Sequence, residues 1–118
     1  KLPIHTGSLT INEDTTEWEM LHSADIIIQT TSIGLMGIPG SPISNMSWAR
    51  SSQLVVDIIY KPYTTQLLMD CSQLGLKTVN GVGMLAGQGA LAFELFTDHE
   101  ADYLLMRNIV EKTAKDVI

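Results

Sequence analysis

The chain holds one cysteine in 118 residues, so no internal disulfide framework can staple it, and Cys71 suits a reducing cytoplasm. Positive charge is also scarce. Seven Lys and Arg stand against thirteen Asp and Glu, a net charge of −6. That balance argues against nucleic acid and against an anionic membrane surface, and it makes any anionic cofactor depend on local groups. No apolar run approaches the ~20 residues of a membrane span, and the first residues do not read as a signal peptide. His5, His22 and His99 have neither HxxxH nor Cys/His spacing, so no metal site is expected. There is no G-x-S-x-G elbow, no P-loop, and no strand followed by a G-x-G-G-x turn to seat a pyrophosphate. Repeats and low-complexity tracts are absent. What is present is 45% hydrophobic residues, which suits one small globular domain with a modest core.

Read in order, Lys1–Asn12 gives little more than a frayed edge strand carrying Ile4, Leu9 and Ile11, weakened by Pro3 and Gly7. Glu13–His22 reads as a short surface helix, with Thr16 and Glu19 spaced as a capping box. Asp25–Thr30 and Gln53–Tyr60 are apolar runs without alternation, the pattern of strands covered on both faces in a parallel sheet. The long Gly- and Pro-bearing connection between them is of a kind that is usually functional or disordered. Thr64 and Thr65 suit the N-cap of a helix carrying Leu67, Leu68, Cys71 and Leu74, which Gly75 ends. Cys71 therefore reads as core. A last helix over Glu100–Val117 carries an apolar stripe of Leu105, Met106, Ile109, Val110 and Val117. The alternation predicts an α/β fold with buried parallel strands, whose ligands bind beyond the carboxyl ends of the strands.

Those ends deliver Thr30-Thr31-Ser32, Tyr60-Lys61-Pro62 and Gly81-Val82-Gly83. The third opens the stretch that organises the chain: a strand, Lys77–Asn80, two glycines for a tight turn close to a ligand, then a helix whose first N–H groups are free. Met84 and Gln88 share one helical face, beside a stripe of Leu85, Gly89, Ala92 and Phe96. Gln88 is either a ligand-facing amide flanked by small residues or a solvated side chain. The Thr31 and Ser32 hydroxyls can hold ribose or phosphate oxygens, or simply make a turn. Asp57, inside an apolar strand, needs hydrogen-bond partners and reads as a structural acceptor ahead of a catalytic acid. Tyr60 is half-buried packing or a phenol aimed at a ligand. Lys61 reads as a solvated charge.

Asn80-Gly-Val-Gly-Met-Leu-Ala-Gly-Gln-Gly-Ala-Leu-Ala-Phe-Glu-Leu-Phe-Thr closely resembles the last signature block of the shikimate dehydrogenase family, N-G-x-x-M-L-x-x-Q-x-x-x-x-F-x-x-W/F-T. Asp57–Leu68 resembles that family's D-x-x-Y-x-P-x-x-T-x-L-L, and Gln29–Leu35 its N-A-T-S-V-G-M, with Gln29 where Asn is usual. The resemblance covers roughly Ala24–Thr97 and the closing helix. It implies the C-terminal half of a Rossmann-like, three-layer NADP-binding domain, with residues 1–118 as that portion and the glycine-rich turn and N-terminal substrate domain not represented. It implies a part in NADP-dependent interconversion of 3-dehydroshikimate and shikimate, in the cytoplasm, toward aromatic amino acids and chorismate. NAD remains an alternative cofactor. A quinate/shikimate dehydrogenase, or a non-catalytic ligand-sensing or interaction module, remain alternative functions. The backbone at Gly83 and Met84 would lie beside the nicotinamide, with Thr31 and Ser32 on the cofactor's oxygens. Tyr60 would lie near the shikimate carboxylate and Gln88 on a shikimate hydroxyl. The family's catalytic Lys and Asp match nothing here, so no catalytic residue is assigned in this chain. Without the first Rossmann strand, the Asp25–Thr30 strand would offer an open edge for self-association.

Overall fold

The computed structural model describes residues 15–116. In chain order it forms α1 (Thr15–Ser23), β1 (Ile26–Gln29), β2 (Leu54–Asp57), α2 (Gln66–Gln73), β3 (Lys77–Val79), α3 (Val82–Thr97) and α4 (Tyr103–Lys115). The three strands make one parallel sheet in the order β1-β2-β3, the α/β alternation that the sequence predicts. The edge strand expected over Lys1–Asn12, the helix start at Glu13 and the end of the stripe at Val117 lie outside the described residues. Thr16 falls within the first turn of α1, one residue inside the helix rather than before it.

Register assigns each side chain to a face, because neighbours in parallel register point the same way. Ile27 pairs with Val55 and Gln29 with Asp57, while Ile26 pairs with Leu54 and Ile28 with Val56. The first set faces the core. There Val55 joins Leu21, Trp48, Leu67, Leu68, Cys71 and Leu76, with Ile27 packed against them. The second set does not match the expectation of cover on both faces. Ile26 and Ile28 are each 58% exposed. β-Branched residues without alternation fit a doubly covered strand, but the pattern reports only that both faces tolerate apolar groups. Among the described residues one of them has no covering layer.

α2 follows from its caps. The Thr65 hydroxyl accepts the Leu68 N–H at 3.4 Å, and Gly75 takes a φ of 81° just after the last turn, a conformation that glycine adopts without cost. Cys71 is fully buried. Burial, with Asp70 beside it, pushes its thiol up to about 11, so it stays protonated and acts as core.

Residues 30–53 form no helix or strand, yet most of this connection is structural. Trp48 is fully buried, and Ile43, Met46 and Ala49 pack on the same core. Buried Gln53 donates from Nε2 to the carbonyls of Leu21 and Ala24, at 2.7 and 2.8 Å, and accepts the Arg50 N–H at 2.7 Å. Arg50 in turn donates to the carbonyls of His22 and Ala24.

α4 starts at Tyr103, not Glu100, because Asp102 caps it by accepting the Leu105 N–H at 2.9 Å. It packs along α3. The buried residues of α3 are Val82, Ala86 and Ala90, not the predicted Leu85, Gly89, Ala92 and Phe96; Phe96 is 89% exposed. A helix apolar on nearly every side carries no clear stripe, and the small side chains Ala86 and Ala90 are those that let a second helix approach closely. On α4, Leu105 and Ile109 are likewise exposed, and the buried position is Ala114. No described helix is long and apolar enough to cross a membrane.

Candidate functional site

The carboxyl ends of β1, β2 and β3 lie side by side, and neighbouring strands are about 4.8 Å apart, so the three following segments begin within roughly 10 Å of one another. What fixes them is a buried network centred on Asp57, the last residue of β2. Its Oδ1 accepts the Ile59 N–H at 3.0 Å and the Gln29 amide at 3.4 Å; its Oδ2 accepts the Thr65 hydroxyl at 2.7 Å. Asp57 is completely buried. This is the structural acceptor expected of a carboxyl in an apolar strand, and one Asp side chain thereby ties β1, the exit of β2 and the start of α2 together.

Gln29 extends the network into the first loop. Its Nε2 donates to the Ile33 carbonyl at 3.0 Å, and its Oε1 accepts the Thr31 N–H. The Thr31 hydroxyl accepts the Ile33 N–H at 3.2 Å. Thr31 and Ser32 are exposed, on a turn held from below.

The third segment is clamped by backbone. Gly81 donates its N–H to the Ile59 carbonyl at 2.9 Å. A Cβ on Gly81 would sit 2.0 Å from the Ile58 oxygen. The glycine is thus needed for close approach to the chain's own backbone; its φ of −75° is ordinary. The tight turn expected at this glycine is present, and the close approach it makes is to the chain's own backbone. Asn80 finishes the turn: its amide donates to the Tyr63 carbonyl at 2.9 Å and its Oδ1 accepts the Val82 N–H at 3.2 Å. Gly83 and Met84 then occupy the first turn of α3, where a helix has no backbone partners of its own for its N–H groups.

Of the residues singled out from sequence, Thr31, Ser32, Tyr60, Gly83 and Met84 all fall on these three segments. Tyr60 is half-buried and Met84 is exposed. Gln88 stands exposed one turn beyond Met84, and a Cβ added to Gly87 or Gly89 would meet open space, so the amide has room around it. Among the described residues no hydrogen bond joins Tyr60 to Gln88. Gln29 and Asn80 carry the local architecture together with Thr65, whose capping role the sequence predicts and whose bond to Asp57 it does not. Gln29 was findable, being a polar residue in an apolar strand like Asp57. No described group of His, Cys, Asp and Glu is arranged to hold a metal ion.

Behind the second segment, Tyr63 donates its hydroxyl to Glu111 at 3.2 Å, and the Lys115 ammonium lies 4.6 Å from the Tyr63 ring centroid. The hydrogen bond from Lys115 is the main reason the Glu111 carboxyl sits below its usual range. This clip joins α4 to the loop after Tyr60.

Comparison with known proteins adds the following. Residues 81–111 match a profile described as the shikimate 5'-dehydrogenase C-terminal domain. A Bacillus licheniformis shikimate dehydrogenase (NADP(+)) is 48% identical over 91 residues, which is 76% of this chain and 32% of that protein. The crystal structure of a shikimate dehydrogenase in complex with NADP+ superposes with a TM-score of 0.75 at 37% identity, over 81% of this chain and 34% of that one. A Thermus thermophilus shikimate 5-dehydrogenase in complex with NADP(H) and shikimate gives 0.72 at 32% identity, over 82% and 36%. The chain thus spans about a third of the length of these relatives.

Proposed function

Since this chain belongs to the shikimate dehydrogenase family, we propose that residues 1–118 are the C-terminal portion of an NADP-binding domain. They serve reversible hydride transfer between NADP and the 3-dehydroshikimate/shikimate pair, in the cytoplasm. The observation that carries this reading is the clamping of three strand-end segments into one surface by Asp57, Gln29 and Gly81.

The residues present fit the nicotinamide end of the cofactor. The free N–H groups of the first turn of α3, at Gly83 and Met84, are donors of the kind an amide-bearing ring needs. The Thr31 and Ser32 hydroxyls stand exposed on the neighbouring segment, available to cofactor oxygens. NADP, when bound, supplies the redox chemistry. Tyr60 would fix the substrate carboxylate with its phenol, and Gln88 would hold a ring hydroxyl with its side-chain amide. Both act by orientation, and neither moves a proton in this reading.

Gln88→Ala is expected to cost about 1–3 kcal/mol of substrate or transition-state binding in an active enzyme carrying this segment, with KM for NADP little changed. Tyr60→Phe should behave alike, since it removes one hydroxyl and little packing. Steady-state kinetics for both substrates checks this. Unchanged shikimate parameters in both variants would make the two residues structural.

We also propose that the 118-residue chain self-associates through β1. Among the described residues nothing pairs with the outer edge of this strand, and Ile26 and Ile28 add exposed apolar surface beside it. Burying such surface is worth about 25 cal/mol per Å². Ile27 packs against the core, so the diagnostic substitution is Ile28→Lys, on the open face. Size-exclusion chromatography with light scattering should give dimers or larger species, reduced in the variant at unchanged circular dichroism. A folded monomer independent of concentration would refute the idea.

A further inference from the structure

We propose that Gln29 is a positioning residue that couples the Thr31–Ser32 turn to the Tyr60 segment through Asp57. The coupling rests on geometry alone; its consequence for ligands rests on the reading of the site given above.

The Gln29 side chain is only 6% exposed and is fully committed. A glutamine amide offers two N–H donors and one carbonyl oxygen. Here Nε2 serves the Ile33 carbonyl at 3.0 Å and Asp57 Oδ1 at 3.4 Å, while Oε1 takes the Thr31 N–H. The same Asp57 Oδ1 holds the Ile59 N–H at 3.0 Å, and Ile59 immediately precedes Tyr60. From the exposed Thr31 hydroxyl to the Tyr60 backbone, the path is therefore one side-chain amide and one carboxyl, with buried hydrogen bonds between them. Such bonds are costly to leave unmade, so displacement of the turn is resisted by the Ile59–Tyr60 backbone and the reverse.

Length makes the residue type matter. Gln29 lies directly beside Asp57 in the parallel register. An Asn at this position would be one methylene shorter, about 1.5 Å. Its oxygen could still accept the Thr31 N–H in the familiar turn two residues on. Its nitrogen could not also hold a contact that already measures 3.4 Å. Gln29→Asn should therefore keep the turn and cut the coupling, whereas Gln29→Ala removes both.

Amide hydrogen exchange by NMR on the 118-residue chain separates these cases. In Gln29→Ala, Thr31 and Ile59 should both exchange about tenfold faster, with Val55 and Val56 unchanged. In Gln29→Asn, Thr31 should stay protected and Ile59 should exchange roughly threefold to tenfold faster. If the Ala variant does not fold, the Asn variant decides alone. Ile59 protection equal to the parent chain in Gln29→Asn would overturn the coupling. NADP is then titrated into the parent chain and into Gln29→Asn. Shifts at Thr31 and Ser32 should reach Ile59 and Tyr60 in the parent and stop at the turn in the variant; propagation in both would overturn the positioning role. Absence of any shift at Thr31 or Ser32 in the parent up to the highest soluble NADP concentration, where even the weak binding expected without a pyrophosphate turn registers, would overturn the cofactor assignment, while the exchange pattern still decides Gln29.

Discussion

Purified as 118 residues, the chain is expected to give no measurable NADP-dependent oxidation of shikimate. The side chains assigned to the site orient and bind; none is assigned a proton to take or give. The carboxyl at the end of β2 belongs to Asp57, and both its oxygens already hold Ile59, Gln29 and Thr65. Loss of positioned acid–base help costs roughly a hundredfold to ten-thousandfold. Cofactor binding compounds the loss, because the sequence has no G-x-G-G-x turn after a strand and so no helix N-terminus for the pyrophosphate. The assay is NADPH absorbance at high protein concentration. Turnover in the ordinary enzyme range, about 1–1000 per second, would overturn the assignment of purely orienting roles to Tyr60 and Gln88 and would require an acid–base group within this chain.

The legible parts of the fold were those set by local rules. The strand at Leu54–Asp57, the Thr65 cap and the core position of Cys71 all follow from short-range patterns of burial and capping. So does the role of Asp57, because a carboxyl in an apolar strand must find donors. What was not legible depends on contacts distant in sequence. Gly81 looks like a turn glycine, and only the approach of Ile58 and Ile59 reveals why it has no side chain. In α3 the apolar residues run around the helix, so α4 selects the buried face and sequence alone cannot. Gln29 looks like the polar end of a strand until its amide is seen to reach Thr31, Ile33 and Asp57 at once.

Asp57→Ala should destabilise the domain by about 2–5 kcal/mol, a large share of the roughly 5–15 kcal/mol typical of a domain. The substitution strands three buried donors: the Ile59 N–H, the Thr65 hydroxyl and one N–H of the Gln29 amide. It also loosens Thr65, whose oxygen caps α2 through the Leu68 N–H, and a lost cap alone costs about 1 kcal/mol. Asp57→Asn keeps one acceptor oxygen and a similar volume, so it should cost less than half as much. Urea unfolding followed by circular dichroism measures both. An Ala midpoint that corresponds to a loss under about 0.5 kcal/mol, the range of an ordinary surface change, would show that water replaces the carboxyl and that the network does not hold the strand ends. Tyr60 and Thr31 report the local effect, since both segments hang from the same residue.

The helix-free connection between β1 and β2 has a kinetic consequence. Parallel strands must be brought together across the whole crossover before their pairing yields any free energy. Here residues 30–53 supply no helix that could form early; their order comes from Trp48 and Gln53 reaching partners in α1 and the sheet. Closing that loop is an entropic barrier met before β1 gains its neighbour. The last segment to condense in refolding is then the one that carries Trp48, so burial of its indole marks the end of the reaction, while α2 and the β2–β3 pair, linked by a short turn-and-helix unit, can assemble first.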